Sequence, residues 1–245
     1  MSGQPFRVVN AGGRSPIVLI CDHASNRMPN GYGDLGLSEA ERQRHIAWDI
    51  GAAAVCEHLA ARFDAPAALS QVSRLVVDCN RHFTDANLAP AISDGTPVPA
   101  NQNLAEDERR RRWEQFHQPY HQAIEDVIAR KLAGGQEPIV VSIHSMTPMM
   151  NGRARPWQIA MCWQEDERLS RPMLNALRAR GDIVVGDNEP YSLDRNEDYS
   201  VPVHAMRRGL RHLQVEFRQD EVAEPAGQRR WSTIFGDCLK VVLST

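Results

Sequence analysis

An α/β fold with a mainly parallel or mixed central sheet is the class this sequence predicts, on three observations. Short apolar runs alternate with longer amphipathic stretches from end to end. The apolar runs are continuous, as expected of strands buried on both faces. Several of them stop at polar groups, namely Asp22-His23, Asn80-Arg81 and His144-Ser145. The carboxyl ends of strands in open α/β sheets form the ligand crevice.

The elements follow in order. Pro16–Cys21 reads as a buried strand. Ser38 and Glu41 fit a capping box, so a helix is expected from Ser38 to about Phe63, with Ile46, Ile50, Leu59 and Phe63 on its inner face. Arg74–Cys79 reads as a second buried strand. The stretch from Pro90 to Asn103, rich in Pro, Asn and Gly, is too long for a simple turn and reads as a rim or lid. One long helix or two are expected over about 104–132, bent at Pro119 and stopped by Gly134-Gly135. Pro138–Ile143 is a third buried strand. Strands are then expected at Gln158–Trp163, Asp182–Val185 and His212–Phe217, with helices at Arg168–Arg180 and from Gly227 to Leu243. No internal repeat or low-complexity linker divides the chain, so residues 1–245 read as one domain.

Composition bounds the function. In 245 residues, 28 Lys+Arg face 31 Asp+Glu, and 42% of residues are hydrophobic. That length can bury a substantial core. A formal charge of −3 argues against a nucleic-acid footprint and a polybasic membrane surface. No apolar run approaches the ~20 residues of a bilayer span, and Met1–Asn10 has no apolar signal core. The five cysteines are odd in number and lack CxxC spacing, which reads as reduced thiols in a cytoplasmic protein.

Two histidines from separate strands, His23 and His144, suit a divalent metal, most simply zinc. Catalytic zinc takes three protein ligands and leaves a place for water. The third should be a carboxylate. Asp49 is the candidate, polar within the apolar segment His45–Gly51, while Asp22 and Asn26 also stand close to His23. Glu216, among apolar strand neighbours, suits a general base acting on the water. Arg74, Asn80 and Arg81 form a second cluster able to clamp a carboxylate, as in an acyl amino acid.

These residues fall in segments that resemble the N-formylglutamate amidohydrolase family. The segments are Leu19–Asn26, His45–Gly51, Ser73–Arg81, Ser93–Pro97, Val141–Ser145, Gly186–Tyr191 and Val215–Asp220, in order over about residues 15 to 240. The resemblance implies a three-layer, phosphorylase/hydrolase-like α/β sandwich of the zinc carboxypeptidase type, related to aspartoacylase-type deacylases. It implies a metal-dependent amidohydrolase that removes a formyl or other small acyl group from an acidic amino acid such as N-formyl-L-glutamate. In such relatives a His-x-x-Glu and a later His hold the metal, with a Glu as base. The matching residues are His23, His144 and Glu216. Arg74, Asn80 and Arg81 match the substrate-gripping pattern. The position of the ligand Glu is occupied by Asn26, a poor zinc ligand, so either Asp49 substitutes or the metal is held differently.

Other signals are weaker. Arg153 could stabilise an oxyanion or meet a carboxylate, and His204 and Tyr191 could close over substrate. His117 and His121 stand at i, i+4, yet Pro119 lies between them and no Glu follows His117, so this is not the zincin motif. Arg109–Arg112 reads as a solvated helix face. Two other classes stay open: a non-catalytic module binding a carboxylate ligand with a degenerate metal site, and a metal-free cysteine amidase using Cys21 or Cys79.

Overall fold

The computed structural model describes residues 4–150 and 152–244. Seven strands form one sheet: β1 (Phe6–Val9), β2 (Ile17–Cys21), β3 (Ala67–Ser70), β4 (Ile139–Met146), β5 (Ile159–Cys162), β6 (Val185–Asp187) and β7 (His212–Arg218). Their order is β1-β3-β2-β4-β7-β5-β6. The four central strands β3, β2, β4 and β7 are parallel, whereas β1 and β5 run against their neighbours β3 and β7. The sheet is therefore mixed, and the carboxyl ends of its central strands open on one edge.

Helices cover both faces. Helices α2 (Ala52–Phe63), α5 (Ser170–Arg178) and α7 (Pro225–Leu243) pack on the face that carries Leu19, Val141 and Val215. Helices α4 (Gln118–Ala133) and α6 (Ser200–His204) cover the opposite face, with Val18, Ile20 and Val140. Successive strand residues alternate between these two cores because side chains of a strand point to opposite faces. Burying each large apolar side chain of these cores contributes about 1.5–3 kcal/mol. No helix among the described residues is long and apolar enough to cross a membrane.

The expected strands Pro16–Cys21, Pro138–Ile143 and His212–Phe217 are present within a residue or three. Three expectations are corrected. The helix expected over 38–63 is two helices, α1 (Glu39–Arg42) and α2, separated by a turn-rich loop. The capping box at Ser38 does start α1. Gly51 then breaks the run: its φ is +81°, and a Cβ there would collide with the carbonyl of Val222. The run Arg74–Cys79 is buried but is not a strand. Ser73 folds it into a turn, since its hydroxyl donates to the Ala47 carbonyl and accepts from Leu75 N. Leu75 and Val76 bury instead in a third cluster with Leu35, Ile46 and Val98. The neighbouring strand is Ala67–Ser70, which the sequence reading passed over, as it did β1.

Of the one helix or two expected over 104–132, the structure has two, α3 (Glu106–Arg112) and α4, joined by a π-helical turn at Trp113–His117. Pro119, which lacks an N–H, sits in the first turn of α4, where none is needed. The strand expected at Asp182–Val185 lies two to three residues later, as β6.

Candidate active site

The parallel strands deliver their polar ends to one cleft of about 380 Å³. His23 follows β2 directly. His144 lies on β4, and Glu216 on β7 is its register partner, so parallel pairing sets the two side by side. Asp49 comes from the loop before α2, and three contacts fix it. Its N–H donates to the His23 carbonyl at 2.9 Å. Ser145 N–H donates to its Oδ2 at 3.2 Å. The Ser145 hydroxyl also donates to the Ile50 carbonyl at 2.8 Å, which ties the loop to β4.

The two imidazoles converge on a single oxygen. His144 Nδ1 lies 2.9 Å, and His23 Nδ1 3.4 Å, from Asp49 Oδ2. Their far nitrogens each face another carboxylate. His23 Nε2 donates to Asp78 Oδ1 at 2.7 Å, and His144 Nε2 lies 3.3 Å from Asp22 Oδ2. Asp22 is held in turn by the Tyr120 and Ser200 hydroxyls, which donate to its Oδ1 at 2.9 and 2.6 Å. Arg74 Nη2 pairs with the other oxygen of Asp49.

Charge follows these contacts. Burial disfavours the His144 imidazolium, but hydrogen bonding to Asp22 and Asp49 overcomes it and holds its pKa well above the usual value. Burial likewise lowers His23, and Asp78 and Asp49 reverse that. Burial raises Asp49, while Arg74 and the histidines pull it well below the usual carboxylate range. Glu216 goes the other way. Burial pushes it up to about 7, only partly offset by His144, and its carboxylate makes no hydrogen bond among the described residues.

His23, Asp49 and His144 offer ligand atoms that all lie within 4.8 Å of one another, and all three residues are buried. Two imidazole nitrogens and one carboxylate oxygen are a donor set for a catalytic zinc-type ion. The outer carboxylates Asp78 and Asp22 are the partners that orient ligating histidines. The group therefore fits a divalent metal.

The remaining expected site residues divide. Arg74, Asn80 and Arg81 all line the cleft, but two are committed to the protein. Asn80 Nδ2 donates to Asp198 at 2.8 Å, and its Oδ1 accepts from Tyr199 N and Ser200 N at 2.9 Å each. Arg81 Nη1 donates to Asp198 Oδ1 and to the Asn80 and Glu197 carbonyls. Together they pin the loop before α6. Asn26 faces away and donates to the Arg42 carbonyl and Gln43 Oε1, each at 3.1 Å. Arg153 is exposed on the short hairpin Met149–Met150/Arg153–Ala154 and does not line the cleft. His204 is buried at the end of α6 and donates towards His121 at 2.9 Å, so it cannot close over the site. The reactive-thiol alternative loses its geometry, because Cys21 and Cys79 are buried outside the lining and burial pushes both thiols up.

Sequence reasoning missed Asp78 and Gln214, and mentioned Asp22 only for its closeness to His23. Asp22 and Asp78 had a signal, since each is the first acid after an apolar run. Gln214 had a weaker one: it stands two residues before Glu216, hence on the same face of β7.

The sequence matches the family model for N-formylglutamate amidohydrolase over residues 15–223. The structure is similar to the crystal structure of gene product Atu2144 from Agrobacterium tumefaciens, at 33% identity and a TM-score of 0.95, covering 99% of this chain and 96% of that one. It shares its fold with N-formylglutamate amidohydrolase from Ralstonia eutropha JMP134, at 18% identity and a TM-score of 0.70, covering 98% and 97% of the two chains. A comparison with curated proteins found no match.

Proposed function

The chain belongs to the N-formylglutamate amidohydrolase family, hydrolases acting on amide bonds, and from that premise we propose that it removes an N-formyl or other small N-acyl group from an amino acid, with a divalent metal, zinc, at His23, Asp49 and His144. N-formyl-L-glutamate is the reference substrate. The observation that carries this reading is the pairing of a buried donor set with Glu216, an unpartnered carboxylate raised to about 7 beside it.

His23, Asp49 and His144 would hold the ion, which would supply an acidified water, with a pKa of ~7, and polarisation of the acyl carbonyl. Glu216 accepts the proton of the attacking water at its carboxylate. It then returns that proton to the amine nitrogen as the C–N bond breaks, which leaves formate and the free amino acid. Arg74 lines the cleft with its side chain partly exposed and only its Nη2 engaged, on Asp49, so its guanidinium has donors left to meet the substrate's α-carboxylate. Asp78 and Asp22 hold the imidazoles in place. The five unpaired cysteines support a cytoplasmic location.

The test is elemental analysis of the purified protein together with formate release by wild type and Glu216→Gln. About one metal per chain is expected in both proteins, with turnover lowered roughly 10²–10⁴-fold in the variant. Retained turnover removes Glu216 from the base role. Metal without turnover on any N-acyl amino acid favours a binding module instead.

A further inference from the structure

We propose that Tyr191 is a further catalytic residue of the cleft: its phenol, backed by the guanidinium of Arg155, donates a hydrogen bond to the acyl oxygen as negative charge develops there. This rests on the amidohydrolase reading above and deepens it. It gives this pair the oxyanion role that the sequence suggested for Arg153, which is exposed and does not line the cleft.

Arg155 is the unexplained group. It is 8% exposed, yet it forms no ion pair among the described residues. Its Nη2 donates to the Tyr191 hydroxyl at 2.6 Å, and its Nη1 donates to the Thr147 carbonyl at 3.5 Å. A guanidinium taken out of water without a carboxylate is costly, so a charge kept there is expected to act on what it touches. What it touches is Tyr191, whose ring centroid also lies 4.7 Å from the guanidinium carbon.

This contact directs the phenol's own hydrogen. A guanidinium only donates, so the Tyr191 oxygen accepts from Arg155 and its proton points elsewhere. Tyr191 lines the cleft together with Glu216 and Arg74. Burial, and then the Glu216 charge, hold the phenol above its ordinary pKa against the pull of Arg155 and Arg74, so it stays a donor. Arg155 polarises the phenol oxygen and strengthens that donor. A neutral donor suits an oxygen that is neutral in the substrate and charged only in the transition state, whereas Arg74 suits the permanent α-carboxylate.

Both partners are fixed by their backbones. Arg155 N donates to the Pro148 carbonyl at 2.8 Å, and the Arg155 carbonyl accepts from Arg218 Nη1 at 3.2 Å. On the segment leading to Tyr191, Asn188 N donates to the Met161 carbonyl at 3.0 Å and its Oδ1 accepts from Trp163 N at 2.8 Å. A donor held in place before the reaction needs no reorganisation during it. As the water oxygen bonds to the acyl carbon, Glu216 takes the water's proton and the carbonyl π pair moves onto the acyl oxygen, which accepts from Tyr191. The pair returns as the C–N bond breaks, and Glu216 delivers its proton to the nitrogen. Tyr191 keeps its own proton throughout. Arg155, which does not line the cleft, acts through Tyr191 as a positioning residue.

The experiment measures kcat and KM of the metal-loaded wild type, Tyr191→Phe and Arg155→Met on the N-acyl amino acid that wild type hydrolyses fastest, starting from N-formyl-L-glutamate. Tyr191→Phe keeps the ring and is expected to lower kcat about 10²–10³-fold with KM little changed. Arg155→Met is expected to lower kcat about tenfold or more, and adding Tyr191→Phe to it should cost less than in wild type, because both act through one hydrogen bond. Calorimetry adds a readout independent of turnover. In the Glu216→Gln background, Tyr191→Phe should leave substrate binding unchanged and weaken a phosphonamidate analogue, whose tetrahedral phosphorus carries the oxyanion, by about tenfold or more. Retained kcat in Tyr191→Phe, a raised KM with kcat unchanged, or equal losses for substrate and analogue overturn this proposal and leave the hydrolase reading standing. A wild type that turns over no N-acyl amino acid overturns the hydrolase reading, and the role of Tyr191 falls with it.

Discussion

Two groups of buried histidines lie near one another and behave oppositely. His23 and His144, with ring centroids 5.1 Å apart, each face two carboxylates, and both pKa values are raised. His117 and His121 face carbonyls and each other, and His204 faces His121 and, at 3.7 Å, the carboxylate of Glu125, which Arg208 already engages. His121 donates to the Cys79 carbonyl at 2.7 Å and shares a 2.9 Å contact with His204, while His117 meets the Arg81 carbonyl at 3.1 Å and stacks on Trp113. Burial pushes His117 down to about 3 and His204 to about 4, and holds His121 well below its usual value. The same side chain is thus prepared for a cation's place in one group and kept neutral as structural cement in the other. What differs is the partner: a carboxylate compensates a buried charge, and a carbonyl already served by one N–H does so far less.

The largest expected effect separates the two groups directly. His144→Ala should lower divalent-metal affinity by more than the roughly 10–100-fold typical of an outer partner, while His204→Ala should leave it unchanged. Competition with a metal-binding dye reads both, and equal losses would erase the distinction. A smaller effect sharpens it. Asp78→Asn keeps the shape but removes the charge behind His23, so metal affinity should fall about 10–100-fold. An unchanged affinity would mean that His23 needs no carboxylate behind it.

The smallest effect is on stability. His117 and His204 titrate below about 6.5 when folded, so the unfolded chain takes up their protons first as pH falls. Their contribution is complete above about 6.5 and is lost towards about 4, at roughly 1.4 kcal/mol per pH unit for each histidine. His23 and His144, being raised, act with the opposite sign in the metal-free protein: their contribution is present below the unfolded value and fades as pH rises through the folded one. Urea unfolding at about pH 7 and about pH 5 should show a shallower acid loss in His117→Gln than in wild type. Identical slopes would show that this group does not titrate on unfolding.

His117 and His121 also show where a sequence misleads. Their i, i+4 spacing is that of paired metal ligands, and they do share a helical face, yet each turns its Nε2 on a backbone carbonyl beside Asn80. Asn80 and Arg81 mislead in the other direction. Their residue types suit a carboxylate clamp, and they do clamp a carboxylate, but it is the protein's own Asp198. Among elements, Ala67–Ser70 carries no strong strand signal, being small and weakly β-prone, and becomes a strand because β1 and β2 flank it. Arg74–Cys79 carries the signal and is not a strand, because Ser73 turns the chain before it can pair.

The sequence by itself determined the α/β class, the central strands β2, β4 and β7, the family, and the membership of His23, His144 and Glu216 in one polar edge, with Asp49 as one candidate among Asp49, Asn26 and Asp22. Continuous apolar runs with polar ends can do little else than form buried parallel strands. Only the tertiary structure decided which polar groups were left unspent. A guanidinium or amide is free or committed according to what lies within about 3 Å of it, and those neighbours come from segments more than a hundred residues away, as Asp198 does for Asn80. The same contacts set Arg74 in a cleft with Ile92, Met150 and Tyr191, residues that no local pattern could bring together.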